Sequence, residues 1–320
     1  MGISAPTAEN PIVVIGRIGV DLYPTEVNTA LKDVSGFTKT IGGSAANVSV
    51  AIARHGHEVA LVSRTGADQF GQFLVEQLER YRIQNRFVIP VAGMQSVLTF
   101  CEMFPPDHFP FYTYRNPTAP DMFVRIDDVP LDLVATTPLF WATATGLARQ
   151  PSRDAHYAAW KARNRQGPTV LDLDYRPSFW DSAEEAAREI PRALEHVNIA
   201  VGNLDECEIA VGERDPQRAA DALLDRGMDL AVVKMGPLGV LAKTRTETLE
   251  VRPIPVDVVN GLGAGDAFGG ALVHGLVEGW PLARTLAFAN AAGAIVATRF
   301  ECSAAMPTTA EVLEMVHSVA

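Results

Sequence analysis

Short β-branched runs alternate with helical segments through most of this chain, and that alternation leaves few ways to fold. Pro11 to Ile15 is an apolar run ending at Gly16 and reads as a buried strand. Ser44 to His55 follows a Gly-Gly turn and reads as a helix whose small residues allow close packing. Glu58 to Arg64 reads as the next strand and Gly71 to Tyr81 as an amphipathic helix. The rhythm resumes with strands at Leu139 to Ala142, Thr169 to Leu173, Ile199 to Val201 and Leu230 to Lys234. Parallel strands need crossover helices, so the pattern predicts an α/β fold with a mostly parallel central sheet covered on both faces. No Gly/Ser-rich linker and no internal repeat interrupts the 320 residues, so a single domain is expected.

Two stretches break the rhythm. Thr25 to Thr40 is polar and turn-rich, and Ser96 to Arg115 is aromatic and alternating, with Phe109, Phe111, Tyr112 and Tyr114 among prolines. They could form a small antiparallel flap over one end of the sheet, or ordinary surface hairpins. An aromatic flap face would also offer a surface for a homodimer.

Composition narrows the partners. A net charge of −11 argues against nucleic acid and against an anionic membrane, both of which call for a basic face. Cys101, Cys207 and Cys302 are far apart and odd in number, which fits a reducing compartment better than a disulfide framework. Residues 1–10 lack the basic-then-apolar order of a leader peptide, and no run of about 18 apolar residues suggests a membrane span. A soluble cytoplasmic protein is expected.

Strand ends lead into polar or Gly-rich turns, where ligands of open α/β sheets gather. The sharpest is Gly263-Ala264-Gly265-Asp266, followed by a helical segment. Glycines let backbone amides converge on a ligand, and the positive end of a helix favours phosphate. Asp266 could then be a base beside an anion hole, or simply the N-cap of the helix. Lys234-x-Gly236-x-x-Gly239 follows a strand and could support nucleotide phosphates, although many hairpins look alike. Asn203-x-x-Glu206 could orient a phosphate and hold hydrated Mg²⁺, or be an ordinary helix start. Arg176, in Asp172-Leu173-Asp174-Tyr175-Arg176-Pro177, offers a planar fork for a carboxylate or a structural ion pair. Gly42-Gly43 and Asn47 could admit and bind a hydroxylated ligand, with Asp21 as a hydroxyl acceptor. No G-x-x-x-x-G-K-[ST] loop and no G-x-G-x-x-G after the first strand occurs. His55 and His57 have no His-x-x-x-His or zinc-like companion in the sequence and read as surface or structural residues.

Taken in order from Val14 to Pro307, these motifs resemble the ribokinase-like (phosphofructokinase-B-type) carbohydrate kinase family. The resemblance implies a three-layer α/β/α fold with a small β lid from about 22–40 and 96–115. It implies Asp266 as catalytic base in the loop that Gly263 opens, with the amides of Ala264, Gly265 and Asp266 as anion hole. ATP would lie beside Lys234, Gly236 to Gly239 and Asn290, with Asn203 and Glu206 near the phosphates and Mg²⁺. Gly16-Arg17, Asp21-Leu22, Phe37-Thr38-Lys39, the Asp172 to Pro177 run and Cys302 to Thr308 are most similar to members acting on a sugar acid. The implied substrate is 5-dehydro-2-deoxy-D-gluconate, phosphorylated on its terminal hydroxyl. Its carboxylate gives a use for Arg176, with Arg115 or Lys39 as further partners, and Asp174 as a substrate-setting residue.

Many relatives carry Asp-Thr-Thr before Gly-Ala-Gly-Asp, where this chain has Asn260-Gly261-Leu262, so a monovalent-cation site loses those side chains. Alternatives within the chemistry are 2-keto-3-deoxygluconate, fructose or a nucleoside as acceptor. A sugar-binding regulator without catalysis is the alternative of another class, against which an intact Asp266 loop and Lys234 argue.

Overall fold

The computed structural model describes residues 3–319. Thirteen strands run in chain order as β1 (Ile12–Ile15), β2 (Gly19–Pro24), β3 (Phe37–Gly42), β4 (Val59–Gly66), β5 (Gln84–Val91), β6 (Leu98–Cys101), β7 (Phe111–Tyr114), β8 (Phe140–Thr143), β9 (Thr169–Asp172), β10 (Ile199–Asn203), β11 (Leu230–Lys234), β12 (Val240–Lys243) and β13 (Thr248–Val251). The α-helices are α1 (Ser44–Arg54), α2 (Gln69–Arg80), α3 (Leu131–Thr136), α4 (Ser152–Arg163), α5 (Ala183–Ala193), α6 (Leu204–Val211), α7 (Pro216–Asp225), α8 (Ala264–Val277), α9 (Leu282–Ala297) and α10 (Thr309–Val319).

Nine strands form the central sheet in the order β13-β12-β11-β10-β9-β8-β1-β4-β5. All its pairings are parallel except β11–β12 and β12–β13. Because side chains alternate along a strand, each strand feeds two cores. Ile12 and Val14 of β1 face the layer of α1, α8 and α9, packing with Leu61, Trp141, Phe268 and Phe288. Val13 and Ile15 face the opposite layer of α4 to α7, with Phe140, Leu171, Trp160 and Leu223. Both faces being covered explains why these strands read as continuous apolar runs rather than alternating ones.

From β1 the chain moves one way, to β4 and β5, and later returns from β8 outward the other way. The order therefore reverses between β1 and β8, the position where open α/β sheets hold their ligands. Above these carboxyl ends lies a second sheet, ordered β3-β2-β6-β7. Its outer pairs are antiparallel, while β2 and β6 pair in parallel. Both irregular stretches of the sequence enter this sheet, which makes them the lid. Its first strand, Gly19–Pro24, begins before the expected boundary. No helix among the described residues is long and apolar enough to cross a membrane.

Candidate active site

The turn before α8 is built by its backbone. Gly263 has φ 83°, a left-handed conformation costly for other residues, and a β-carbon there would lie 2.7 Å from Cys302 Sγ. Asn260 is fully buried and ties the turn down: its amide donates to Phe300 O at 2.8 Å, and its Oδ1 accepts from Leu262 N–H at 2.9 Å. The asparagine standing where many relatives carry aspartate thus has a structural task.

Gly263 is the N-cap of α8 and offers no capping side chain. Asp266 sits in the first helical turn instead, and its Oδ2 accepts a 2.8 Å hydrogen bond from Asn47 Nδ2 on α1. The plain N-cap reading of Asp266 is thereby excluded. Ser303 Oγ stands 2.5 Å from Asn47 Oδ1 and 2.6 Å from Ile41 O, holding the other end of that amide in place. Burial lifts the Asp266 carboxyl from 3.8 to about 6; the Asn47 hydrogen bond opposes the rise, and nearby Asp174 and Asp172 add to it. The first amides of α8 carry no side-chain cap, so their donors and the helix dipole remain available to an anion beside Asp266.

Asp21 reaches the same pocket from β2 of the second sheet. It fits because its pairing region is glycine: a β-carbon on Gly42 would fall 2.1 Å from the Asp21 carboxyl carbon. Burial raises the Asp21 carboxyl to about 7, Arg17 opposing and Asp266 assisting. The pocket is completed by Arg17, Gly43, Asn47, Arg176, Thr99, Thr113 and Phe111, with Tyr23 and Cys302 at its back. Tyr23 OH donates to Cys302 Sγ at 2.7 Å. This cavity is about 80 Å³, below the roughly 300 Å³ at the small end of ligand pockets. A larger cavity, about 890 Å³, is lined by β6, β7 and the segment from Arg115 to Ala119 and holds neither Asp21 nor Asp266.

Asp174 is buried and does not line the pocket; it holds two guanidiniums that do. Arg176 Nη2 is 3.0 Å from its Oδ1 and Arg17 Nη2 is 3.4 Å from its Oδ2. Burial alone would raise this carboxyl, yet Arg17 and Arg176 hold it below the usual range. Asp174, expected from the sequence to help set the substrate, thus lies behind the two guanidiniums that face the pocket.

Lys234, at the end of β11, lies 3.9 Å from Asp172 Oδ1 and against Gly265, where a β-carbon would sit 3.5 Å from its Nζ. Burial would lower its pKa, but Asp172, Glu206 and Asp266 together raise it, keeping the ammonium charged. Gly236 and Gly239 both have positive φ in the turn beyond it, and a β-carbon on Gly239 would meet Val251 O at 2.1 Å. Asn203 and Glu206 form a capping box on α6: Glu206 N–H donates to Asn203 Oδ1 at 2.9 Å, and Asn203 N–H to Glu206 Oε2 at 2.7 Å. The ordinary helix start expected as an alternative is thus present, and Asn203 Oδ1 and Glu206 Oε2 are already engaged.

Three expected residues lie elsewhere. Arg115 lies against Asp121 at 3.1 Å and over the Phe179 ring at 4.0 Å, outside the pocket itself but bordering both the crevice with Arg17, Gly43 and Thr99 and the larger cavity along β7. Lys39 points away from the pocket, its Nζ 4.4 Å from the Phe73 ring centre on α2. Asn290, on α9, donates to Arg252 O at 2.9 Å and borders a shallow cleft with Arg252 to Pro255. Arg17 is the residue that sequence reasoning passed over, although its place directly after β1 at the strand-order reversal marks it.

A family model described as pfkB family carbohydrate kinase matches residues 10–309. The chain belongs to this family. The 5-dehydro-2-deoxygluconokinase of Geobacillus thermodenitrificans is 31% identical over 314 residues, covering 96% of this chain and 93% of that protein. The Clostridium perfringens protein of the same name is 30% identical over 312 residues, with 95% and 92% covered. Among solved structures, an E. coli ribokinase-like protein in complex with ATP and Mg²⁺ superposes with TM-score 0.88 at 21% identity, covering 97% of this chain and 99% of that one. The aminoimidazole riboside kinase of Salmonella enterica, complexed with its riboside and an ATP analogue, gives 0.79 at 27% identity, covering 95% and 99%. The pfkB-family chain is accordingly a carbohydrate kinase with a ribokinase-like fold and a β lid.

Proposed function

We propose that this carbohydrate kinase transfers the γ-phosphoryl group of ATP to the terminal hydroxyl of 5-dehydro-2-deoxy-D-gluconate, with Asp266 as base. The observation that carries the reading is a carboxylate in the first turn of α8 that caps nothing and is held by Asn47 beside free helix amides. A hydroxyl placed against Asp266 loses its proton as its oxygen attacks phosphorus and the bond to the ADP oxygen breaks. The amides of Ala264, Gly265 and Asp266 hold the charge on the transferring group.

The sugar acid is favoured by charge. Arg17 and Arg176 face the pocket with one shared carboxylate, Asp174, between them, and Arg17 Nε is buried without a partner. A substrate carboxylate supplies the missing acceptor. Relatives of the same printed name over 95% of the chain support that acid specifically. Asp21 suits a hydroxyl donor, and the second sheet over the pocket offers a cover that would keep water from competing for the phosphoryl group.

On the nucleotide side, Lys234 and the turn from Gly236 to Gly239 lead from Gly265 toward the cleft beside Asn290, a path for phosphates and then base. Residues for Mg²⁺ fit as well: burial raises the Asp172 carboxyl to about 7 and lifts that of Glu206, so added positive charge is favoured there. When bound, Mg²⁺ supplies charge to the phosphate oxygens. A second copy of the chain would dock on the lid's outer aromatic face, where Tyr112 and Tyr114 are exposed.

The test is ADP release with Mg-ATP, comparing 5-dehydro-2-deoxygluconate, 2-keto-3-deoxygluconate, fructose and ribose. A large kcat/KM preference for the first is expected. Preference for fructose or ribose would overturn the acid assignment, and sugar binding without turnover would overturn catalysis.

A further inference from the structure

Far from the pocket, at the opposite end of α1 and α8, three side chains converge that the sequence keeps apart. His57 lies just past the end of α1, His274 on α8, and Glu278 at the C-cap of the same helix. His274 and Glu278 are one helical turn apart, so they share a face. His57 Nε2 is 2.6 Å from His274 Nδ1, and one ligand atom from each of the three residues lies within 4.8 Å of the others.

The surroundings are built rather than incidental. His274 is about nine-tenths buried, and its ring is walled by His55, Trp280 and Phe288 at centroid distances of 5.1, 4.9 and 5.2 Å. Its Nε2, like that of His55, has no hydrogen-bond partner. Two ring nitrogens facing each other can satisfy only one proton between them, so one imidazole presents a lone pair to the other's N–H. The nearby positive groups are Arg54 and Arg284, and Arg284 is drawn over the Trp280 ring at 3.8 Å.

We propose that His57, His274 and Glu278 form a zinc site in which Zn²⁺ enters between the two facing ring nitrogens, and the proton between them moves to the outer nitrogen of the ring that carried it, so both imidazoles bind neutral. Two imidazoles and one carboxylate are a ligand set typical of Zn²⁺, with water in the fourth position. Tetrahedral bonding at about 2.05 Å needs donor atoms roughly 3.3 Å apart, so the rings separate slightly on binding, and the half-buried His57 has the freedom to move. The ion pins the carboxyl-terminal ends of α1 and α8 together. The amino-terminal ends of those helices hold Asn47 against Asp266, and in between Gly270 packs so closely that a β-carbon would meet Ala51 Cβ at 2.3 Å. The site thus braces the two helices that carry the candidate base. It does not depend on which sugar is phosphorylated.

The test uses the full chain stripped of metal with a chelator, then titrated with ZnCl₂ by calorimetry and with CoCl₂ by visible absorption. Expected are one equivalent bound, a four-coordinate Co²⁺ band displaced by Zn²⁺, and a rise in Tm with Zn²⁺. His57→Gln and Glu278→Gln should each weaken binding by roughly tenfold or more and abolish the Tm rise, while metal-free turnover stays at the wild-type value. A wild-type chain with no Co²⁺ band would overturn the proposal. So would equal Zn²⁺ binding in wild type and both variants, since that would place the ion elsewhere.

Discussion

Replacing Asp266 by Asn separates activity from stability in a way that only a buried base predicts. The amide keeps the shape of the carboxyl and can still accept from Asn47 Nδ2, so the pocket stays formed. Turnover should fall by about 10²–10⁴, or roughly 3–5 kcal/mol of transition-state stabilisation. Stability should move the other way. Asp266 has its pKa raised in the folded state from 3.8 to about 6, so its contribution to stability is full below about pH 4 and lost as pH rises through 6. Above that window the charged form carries a penalty of at most about 3 kcal/mol at 1.36 kcal/mol per pH step. Solvent at the partly open edge reduces this to about 1–2 kcal/mol. The Asp266→Asn chain should therefore melt a few degrees higher than wild type near pH 8 and at nearly the same temperature near pH 4. The assay pairs ADP release across pH with thermal melts. Wild-type kcat/KM should rise with pH through a limb near 6, and the variant's residual rate should lack that limb. Near-wild-type turnover in Asp266→Asn would refute the base assignment. Equal melting shifts at both pH values would refute the buried-charge argument.

Arg176→Ala removes a charge-assisted contact worth about 1.5–3 kcal/mol, so kcat/KM on the sugar acid should drop by roughly 10- to 150-fold while fructose is affected much less; equal losses on both would dismiss a carboxylate partner. Gly42→Ala drives a β-carbon to 2.1 Å from the Asp21 carboxyl, which should raise the sugar KM and cost about 1–3 kcal/mol of stability by denaturant melt. An unchanged KM and Tm there would mean Asp21 is not fixed against Gly42. Tyr112→Ser with Tyr114→Ser should shift a dimer toward monomer in sedimentation velocity; an unaltered dimer would move the interface off the lid face.

The central sheet was legible because its strands are buried on both faces, so their apolar runs carry no competing alternation: Ile12 to Ile15 and Leu230 to Lys234 read directly as strands. The lid was only half legible. Its β2 and β6 pair in parallel, Val20 against Leu98, a contact between distant parts of the chain that no local pattern announces. Asp266 could not be told from an N-cap by spacing alone; what decides it is Gly263 at the cap and Asn47, 219 residues away, on the carboxylate. Asn203 and Glu206 show the opposite case, where the capping box written in the sequence is present in the structure. Arg115 and Lys39 were attractive as charges but are held by Asp121 and Phe73, long-range partners that composition cannot supply. His57 likewise looked solitary because its neighbour His274 lies 217 residues on.

The two sheets meet through two acids whose charges oppose each other. Asp266 belongs to the main domain and Asp21 to the lid; burial raises both, and each lies close enough to Asp266 or Arg17 to feel that charge. Asp266 drives the Asp21 carboxyl further up, so the pair holds a proton more readily than an isolated carboxylate does. In the proposed reaction one hydroxyl of the polyol donates to Asp21 while a second, attacking hydroxyl gives its proton to Asp266 and presents its oxygen beside the α8 amides. Arg17, which lowers both Asp21 and Asp266 and also pairs with Asp174, would in the proposed reaction couple that event to a carboxylate bound by Arg17 and Arg176.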